Sequence, residues 1–405
     1  MTSSASGREQ HVILPEEVRD PVGISMNAYQ LVTRNTDRMG DSGFDLAVLG
    51  LFGEVGSLLS ALKKKRRENT AYTDYDGAIL EELGDVLWYF SNVASRAGLN
   101  LSVLAQRMFR EIDDWDEVKE HEFGTFGDIQ VASVVRVSFA EFQSRLVSLG
   151  GKVGDLVKDF GLGMVQSNRD RLSAHLVDIF RALLAAAVAA DVSLDKAARH
   201  NLHKVFSRWP TDEVYPSLVD NQMPKDERLP RQFTMFIEEH EVNRKIYVVQ
   251  KCNEIIIGDR LTDNKTEKDD YRFHDVIHIA FAVFLGWSPV LRALFHVKRK
   301  SVPELDENQD GARAILIEEG VSSFIFGRGL DRSLFENIGV DYDLLKSIQE
   351  FVRGYEVERC ALWQWEKAIE EGFRVFRDLK RDRRGYIHAD LDAHTLEFSA
   401  VRNGQ

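Results

Sequence analysis

The sequence predicts a mainly α-helical chain: tandem four-helix bundles made by internal duplication, followed by an α+β C-terminal domain with a small antiparallel sheet. Three observations carry this reading. No proline occurs between Pro21 and Pro210, and that interval keeps apolar residues at 3.6-residue spacing, as uninterrupted helices do. Two stretches within it can be laid over each other. Beyond the crowded Pro210, Pro216, Pro224 and Pro230, short β-branched and aromatic runs take over.

Helices are expected near Ile24–Arg38, Phe44–Arg66, Gly77–Ala97 and Leu101–Asp113, with Gly98 and Asn100 breaking the chain between the last two. Their short loops imply antiparallel packing. "LEELGDVLWYFSNVASRAGLNL" (Leu80–Leu101) lies over "LSAHLVDIFRALLAAAVAADVSL" (Leu172–Leu194), pairing Asp85 with Asp178 and Leu101 with Leu194. Upstream, "FGEVGSLLSAL" matches "GGKVGDLVKDF", and "AYQ" (Ala28–Gln30) matches "EFQ" (Glu141–Gln143). A duplication would give a pseudo-dimeric bundle within one chain; the alternative is chance similarity between amphipathic helices.

Residues 211–231 read as a linker. "FTMFIEEHE", "KIYVVQK" and "EIIIGD" then read as strands, followed by helices over Phe273–Leu285, Pro289–Lys298, Asp310–Phe326 and a long one near Leu344–Leu379. The tail "YIHADLDAHTLEF" reads as a closing hairpin, so the sheet sits at one end of a helical cluster.

A chain of 405 residues exceeds one core, which favours two or three domains, and 44% hydrophobic residues suffice to fill them. The net charge of -13 argues against broad attraction to nucleic acid or an anionic membrane, so stable nucleic-acid binding is not expected. Local runs at Lys63–Arg67 and Lys298–Lys300 could still meet phosphate. Cys252 and Cys360 are too few for a disulfide scaffold or a Cys-rich zinc site. "MTSSASGREQ" lacks the order of a signal peptide, residues 1–22 read as flexible, and no apolar run reaches the ~20 residues of a membrane span. A cytoplasmic location without membrane contact is the expectation.

Chemistry concentrates in three acids. Glu54 stands in a leucine-rich stripe, and Glu82 and Asp85, spaced i, i+3, share one helical face bracketed by Leu83, Val86, Leu87 and Tyr89. Gly53 and Gly56 beside Glu54 are expected to permit close helix approach. Carboxylates from facing helices suit hard divalent ions such as Mg²⁺; the alternative is solvated surface charge.

"GLFGEVGSLL…KKK…LEELGDVLWYFSNVA", preceded by "NAYQLVTR", resembles the MazG-type all-α nucleoside triphosphate pyrophosphohydrolases, relatives of the dimeric dUTPases, strongly over residues 24–115 and weakly over 136–210. The resemblance implies a catalytic bundle at 23–125, a degenerate copy at 134–210 and a separate C-terminal domain at 232–405. It further implies Mg²⁺, or Mn²⁺, bound through an E-x-x-E and an E-x-x-D pattern, cleavage of a nucleoside triphosphate to monophosphate and pyrophosphate, and a homo-oligomer. Glu54, Glu82 and Asp85 match as metal and catalytic residues, with Glu54 the candidate for water activation or shared ligation. Ser57 stands where the family has its second glutamate, and a hydroxyl brings no charge.

Lys63 and Lys64 follow as candidate nucleotide contacts. In the second copy Lys152 replaces Glu54, His175 replaces Glu82, Asp155 takes the Ser57 position and Asp178 the Asp85 position, so the same hard-metal cluster cannot form. Yet "NLHKVFSRWP" resembles the family's closing segment, in which an Asn and a Lys reach phosphate and an Arg precedes an aromatic-Pro; "MFREIDDWD" in the first copy lacks those groups. A composite pocket follows, in which Asn201 and Lys204 approach a nucleotide whose metals sit on Glu54, Glu82 and Asp85, and Arg208 is a further candidate nucleotide contact. The alternative is a structural second half, with Asn201 capping and Lys204 solvated.

A second constellation lies in "YRFHDVIHIAFAVFLGWSP": His274 and His278 at i, i+4 with Asp275 between, near the H-E-x-x-H spacing of zinc hydrolases. With Glu318 and Glu319 of "DGARAILIEEG" and Lys298, Arg299 and Lys300 of "VKRKS", it could hold a transition metal and a phosphate; the alternative is a self-satisfied polar core. This region resembles a C-terminal module of some MazG-like proteins, for which no activity is implied. The expectation for the whole chain is a Mg²⁺-dependent pyrophosphohydrolase serving nucleotide-pool housecleaning or dNTP depletion in phage defence. The rival is a nucleotide-sensing or assembly module, weakened by Ser57, that controls a C-terminal metal-dependent effector or partner-binding domain.

Overall fold

The computed structural model describes residues 11–40, 43–109, 124–130, 137–166 and 168–401. The chain forms two compact units, Val12–Thr211 and a C-terminal unit from Asp212 onward. It is mainly α, with a five-stranded antiparallel sheet confined to the C-terminal unit.

In the helical unit the first copy supplies α1 (Met26–Asn35), α2 (Phe44–Glu68), α3 (Tyr75–Arg96) and α4 (Leu101–Phe109). The second supplies α5 (Phe126–Ile129), α6 (Phe139–Gly161), α7 (Arg169–Ala189) and α8 (Leu194–Arg208). The expected extension of α4 to Asp113 and most of "MFREIDDWD" lie outside the described residues. Within each copy the two long helices pair, α2 with α3 and α6 with α7, and α2 also lies on α6. The closing helices are exchanged: α4 packs on α7, and α8 packs on α3. One core therefore runs through both copies, with the Phe90 and Phe180 rings 5.0 Å apart within it. Neither copy closes its own core, because the apolar face of each long pair is covered by the other copy's last helix.

Two glutamines mark the internal symmetry. Gln30 donates to the Leu99 carbonyl (2.7 Å) and accepts from the Leu101 amide (2.9 Å). Gln130 does the same for Val192 (2.8 Å) and Leu194 (2.6 Å). Each latches the loop that turns into its copy's closing helix. The partner of "AYQ" is thus Gln130 and not the Gln143 of "EFQ", which instead accepts from Arg66 (3.0 Å). The helix caps Ser25 and Thr125 also face each other in an antiparallel bridge.

Close helix approach depends on other glycines than expected. A Cβ on Gly53 or Gly56 would meet open space, beside the exposed Leu49 and Phe52. A Cβ on Gly50 would enter the Tyr89 ring, and one on Gly84 would stand 2.7 Å from the Ala197 carbonyl and 3.0 Å from Asn201 Cβ. Gly84 is what lets α8 reach α3. By length and composition Phe44–Ala71 and Arg169–Ala189 are apolar enough to cross a membrane, unlike the expectation that no run would be; within this unit their Leu51, Val55, Leu176 and Phe180 are core.

The C-terminal sheet has the order β3-β2-β1-β4-β5, with β1 (Gln232–Val242) paired on one side to β2 (Lys245–Cys252) and on the other to β4 (Arg384–Asp390). β3 (Ile255–Ile256) and β5 (Thr395–Ala400) form the edges, so the tail hairpin joins the main sheet. Phe233, Met235 and Ile237 alternate inward from β1, as period-2 side chains must. The helices are α9 (Asp275–Leu285), α10 (Pro289–Leu294), α11 (Pro303–Asn308), α12 (Ala312–Leu330), α13 (Tyr342–Phe351) and α14 (Leu362–Asp382). α9 is buried on every side and packs on α14. The single helix expected over Leu344–Leu379 is split into α13 and α14, because Gly354 turns at φ 86° and the buried Glu356 leaves the helical path to meet Arg299. The segment read as a linker packs into this unit: buried Asp220 pairs with Arg231 (2.7 Å) and Arg292 (2.8 Å).

Gly84→Ala is expected to destabilise the helical unit by about 1–3 kcal/mol, since the obstructing atoms include backbone. Gly53→Ala, in open space on a helix, should be neutral or stabilising by up to about 1 kcal/mol. Urea unfolding followed by circular dichroism tests the pair; equal effects would remove the proposed close contact.

Candidate functional site

Three helices build the acidic site. Glu54 projects from α2 and Glu82 and Asp85 from the facing side of α3, and one oxygen from each lies within 4.8 Å of the others. All three are half-buried. α8 completes the cluster from the second copy: the Asn201 amide donates to Asp85 Oδ1 at 2.7 Å, and the Lys204 ammonium pairs with both Asp85 oxygens and stands 3.6 Å from Glu81. The sequence reading placed these five residues in one pocket, and the structure brings them together.

The cost of this arrangement shows in the carboxyl groups. Burial, and then the nearby charge of Asp85, raise Glu54 above its ordinary value. Burial followed by Asp85 and Glu54 pushes Glu82 up to about 7. The Tyr89 hydroxyl is raised as well, by burial and by the charges of Glu54 and Asp85. Gathered acids that resist ionisation are what a divalent cation relieves, so the donor set fits a hard metal ion. Ser57 lies one helical turn from Glu54 and adds no charge to the set.

The lysine candidates of α2 sit apart from the acids. Lys63 is exposed nine residues beyond Glu54, about 14 Å along the helix axis. Lys64 lies with its ammonium over the Tyr72 ring, 4.4 Å from its centroid. Arg208 follows Lys204 by one turn of α8, and its guanidinium is 4.8 Å from the centroid of Trp209. In the second copy Lys152 pairs with Asp178 (2.8 Å), while Asp159 accepts from Arg171 and His175, each at 2.7 Å. The positions equivalent to Glu54 and Asp85 there neutralise each other. Asp159 was not singled out by sequence reasoning; only its place one turn beyond Asp155 marks it.

The C-terminal unit holds the second cluster. His274 ends a 3-10 turn, Asp275 and His278 lie in the first turn of α9, and one donor atom from each lies within 4.8 Å of the others. Glu319 of α12 completes it, 3.6 Å from the Nε2 atoms of both histidines. Glu318 is placed differently from the sequence reading: it faces the other ring nitrogen, accepting from His278 Nδ1 (2.8 Å), Ser288 Oγ (2.7 Å) and the Val290 amide (2.8 Å). Burial opposes charge on His278, but Glu318 and Glu319 outweigh it and push its pKa up to about 10. Burial likewise opposes charge on Glu319, and the two histidines hold it well below the usual carboxylate range. Arg299 cannot take a phosphate, because it is fully buried between Asp310 and Glu356.

Residues 214–402 match the family model of the MazG C-terminal domain, which relates this part of the chain to MazG proteins. The "Gene 37 protein" of Mycobacterium phage L5 is 32% identical over 78 residues, a stretch that covers 17% of this chain and 63% of that protein, so the chain spans less than two thirds of this relative. No solved structure matches the chain.

Because Glu82 binds its proton more tightly in the folded chain (about 7) than in the unfolded one (4.5), its contribution to stability declines as pH rises through that window. Glu82→Gln should therefore raise the melting temperature of the cation-free chain near pH 8 and leave it little changed below about pH 5. A gain independent of pH would show that Glu82 is not raised in the folded chain.

Proposed function

We propose that the helical unit hydrolyses a nucleoside triphosphate between its α and β phosphorus atoms, releasing the monophosphate and pyrophosphate. The observation that carries this reading is the convergence of Glu54, Glu82 and Asp85 with Asn201 and Lys204 of the other copy. The match of residues 214–402 to the MazG C-terminal domain model, which relates the chain to MazG proteins, is consistent with it. Mg²⁺ or Mn²⁺ held on the three acids would offset the charge of the phosphate oxygens as the anhydride breaks.

The chain's own groups divide the remaining work. Asn201 fixes the orientation of the Asp85 carboxylate by hydrogen bonding to one oxygen. Lys204, already at the edge of the cluster, exchanges part of its ion pair with Asp85 for a phosphate oxygen. Arg208, one turn further along the same face of α8, lies where the triphosphate tail or the base would extend. Glu54, whose raised pKa brings it closer to neutrality, takes the proton of the attacking water or shares in ligation. Such an activity would serve nucleotide-pool housecleaning or the depletion of dNTPs against phage, in the cytoplasm and in a homo-oligomer.

A second reading is favoured by one observation, the neutral Ser57 beside Glu54. With less anionic charge the site would bind nucleotide without turnover and act as a sensor for the C-terminal unit.

A panel of NTPs and dNTPs incubated with Mg²⁺ or Mn²⁺, with products resolved, tests both. The expected products are monophosphate and pyrophosphate. Glu82→Ala should lower the rate by more than about 100-fold, beyond what outer-shell changes do, and Lys204→Glu should weaken nucleotide binding by at least about tenfold. Release of orthophosphate would reject the pyrophosphohydrolase; tight binding without products would select the sensor.

A further inference from the structure

The inner donors of the C-terminal cluster stand at distances that hydrogen bonding does not explain. His274 Nε2 is 3.3 Å from an Asp275 oxygen, and the Nε2 atoms of His274 and His278 are each 3.6 Å from the same oxygen of Glu319. Hydrogen bonds between such groups close to about 2.7–3.2 Å. Ligands about 2.0–2.2 Å from a tetrahedral centre are instead separated by about 3.3–3.6 Å. Among the described residues His278 Nε2 has no hydrogen-bond partner, although the residue is fully buried. Leaving a buried ring nitrogen without a partner is unfavourable, and ligation to a metal ion relieves it.

The outer contacts all orient these donors inward. His274 Nδ1 is 2.9 Å from the Tyr271 carbonyl, which can only accept, so Nδ1 carries the proton and Nε2 presents its lone pair to the cluster. His278 Nδ1 is fixed by Glu318, itself anchored by Ser288 and the Val290 amide at the start of α10. The far oxygen of Asp275 is held by the Gln250 side chain from β2. A carbonyl or carboxylate behind each ligating histidine is the outer shell that metal sites use. Three of the four donors are buried and the Glu319 side chain is 41% exposed, so an ion would enter past Glu319.

From this geometry we infer that the C-terminal unit binds a divalent transition-metal ion of the Zn²⁺ class, ligated by His274 Nε2, His278 Nε2, Asp275 and Glu319, with Glu318 as a positioning residue. Two imidazoles and two carboxylates at tetrahedral spacing suit Zn²⁺ or Co²⁺ better than Mg²⁺, which requires octahedral oxygen coordination. Asp275 is then a ligand rather than the general base that the H-E-x-x-H spacing would make it. The inference is independent of the pyrophosphohydrolase reading, which concerns the other unit.

The test uses the untagged full-length chain carrying Glu82→Ala, so that the bundle's acids do not contribute, stripped with chelator and titrated with Co²⁺. About one ion per chain is expected, with the strong visible bands of tetrahedral coordination, displaced by Zn²⁺ and not by Mg²⁺. Adding Glu318→Gln should weaken binding about 10–100-fold at unchanged stoichiometry. Glu319→Gln, at the exposed ligand, should weaken Co²⁺ binding and shift its spectrum. His278→Gln should abolish binding; if that variant does not fold, Glu319→Gln decides. Absence of tetrahedral bands, or binding unaltered by Glu319→Gln, overturns the site.

Discussion

Across the contact between α3 and α8, one carboxylate receives donors from the far end of the helical unit: Asp85 accepts from Asn201 and pairs with Lys204. The contact exists because Gly84, the residue before Asp85, presents no side chain to Ala197. Backbone proximity and charge pairing are thus set by neighbouring positions in the sequence. Loosening the approach would leave Asp85 facing Glu54 and Glu82 with no cation nearby, in a half-buried setting that already holds Glu82 largely protonated below neutral pH.

The two copies resolve the same electrostatic problem in different ways. In the first, three carboxylates are kept together and their repulsion is left for a cation and Lys204 to offset. In the second, Lys152 pairs with Asp178, and Arg171 and His175 satisfy Asp159. The C-terminal unit uses a third arrangement. There the acids of α12 stand on opposite sides of one imidazole, Glu318 on Nδ1 and Glu319 near Nε2.

Periodicity made the long helices legible, and alternation made the strands so, because both patterns follow directly from which face is buried. The acids were legible because Glu82 and Asp85 fall on one face among core residues, and the help from Asn201 and Lys204 because their segment retained groups that the first copy lacked. What did not show was long-range. Periodicity says that a closing helix is amphipathic but not which partner it covers, so the exchange of α4 and α8 was hidden. Gly53 and Gly56 drew attention by flanking Glu54, yet the glycines under contact are Gly50 and Gly84, which only packing reveals. Gln130 was passed over because its copy has a one-turn α5 in place of α1, which shifts the register of the alignment. The break between α13 and α14 rests on Glu356 meeting Arg299, 57 residues away in sequence. Glu318 and Glu319 are adjacent in sequence, and only the fold shows which ring nitrogen each one serves.

The paired latches at Gln30 and Gln130, the facing caps at Ser25 and Thr125, and the traded last helices together give one polypeptide the arrangement of a two-fold dimer. In a true dimer any mutation strikes both subunits at once, so a residue useful in one cleft must be tolerable in the other. Covalent fusion lifts that restriction. One cleft was free to keep its acids while the other gave them up, which leaves a molecule with one acidic cleft where a symmetric counterpart would have two.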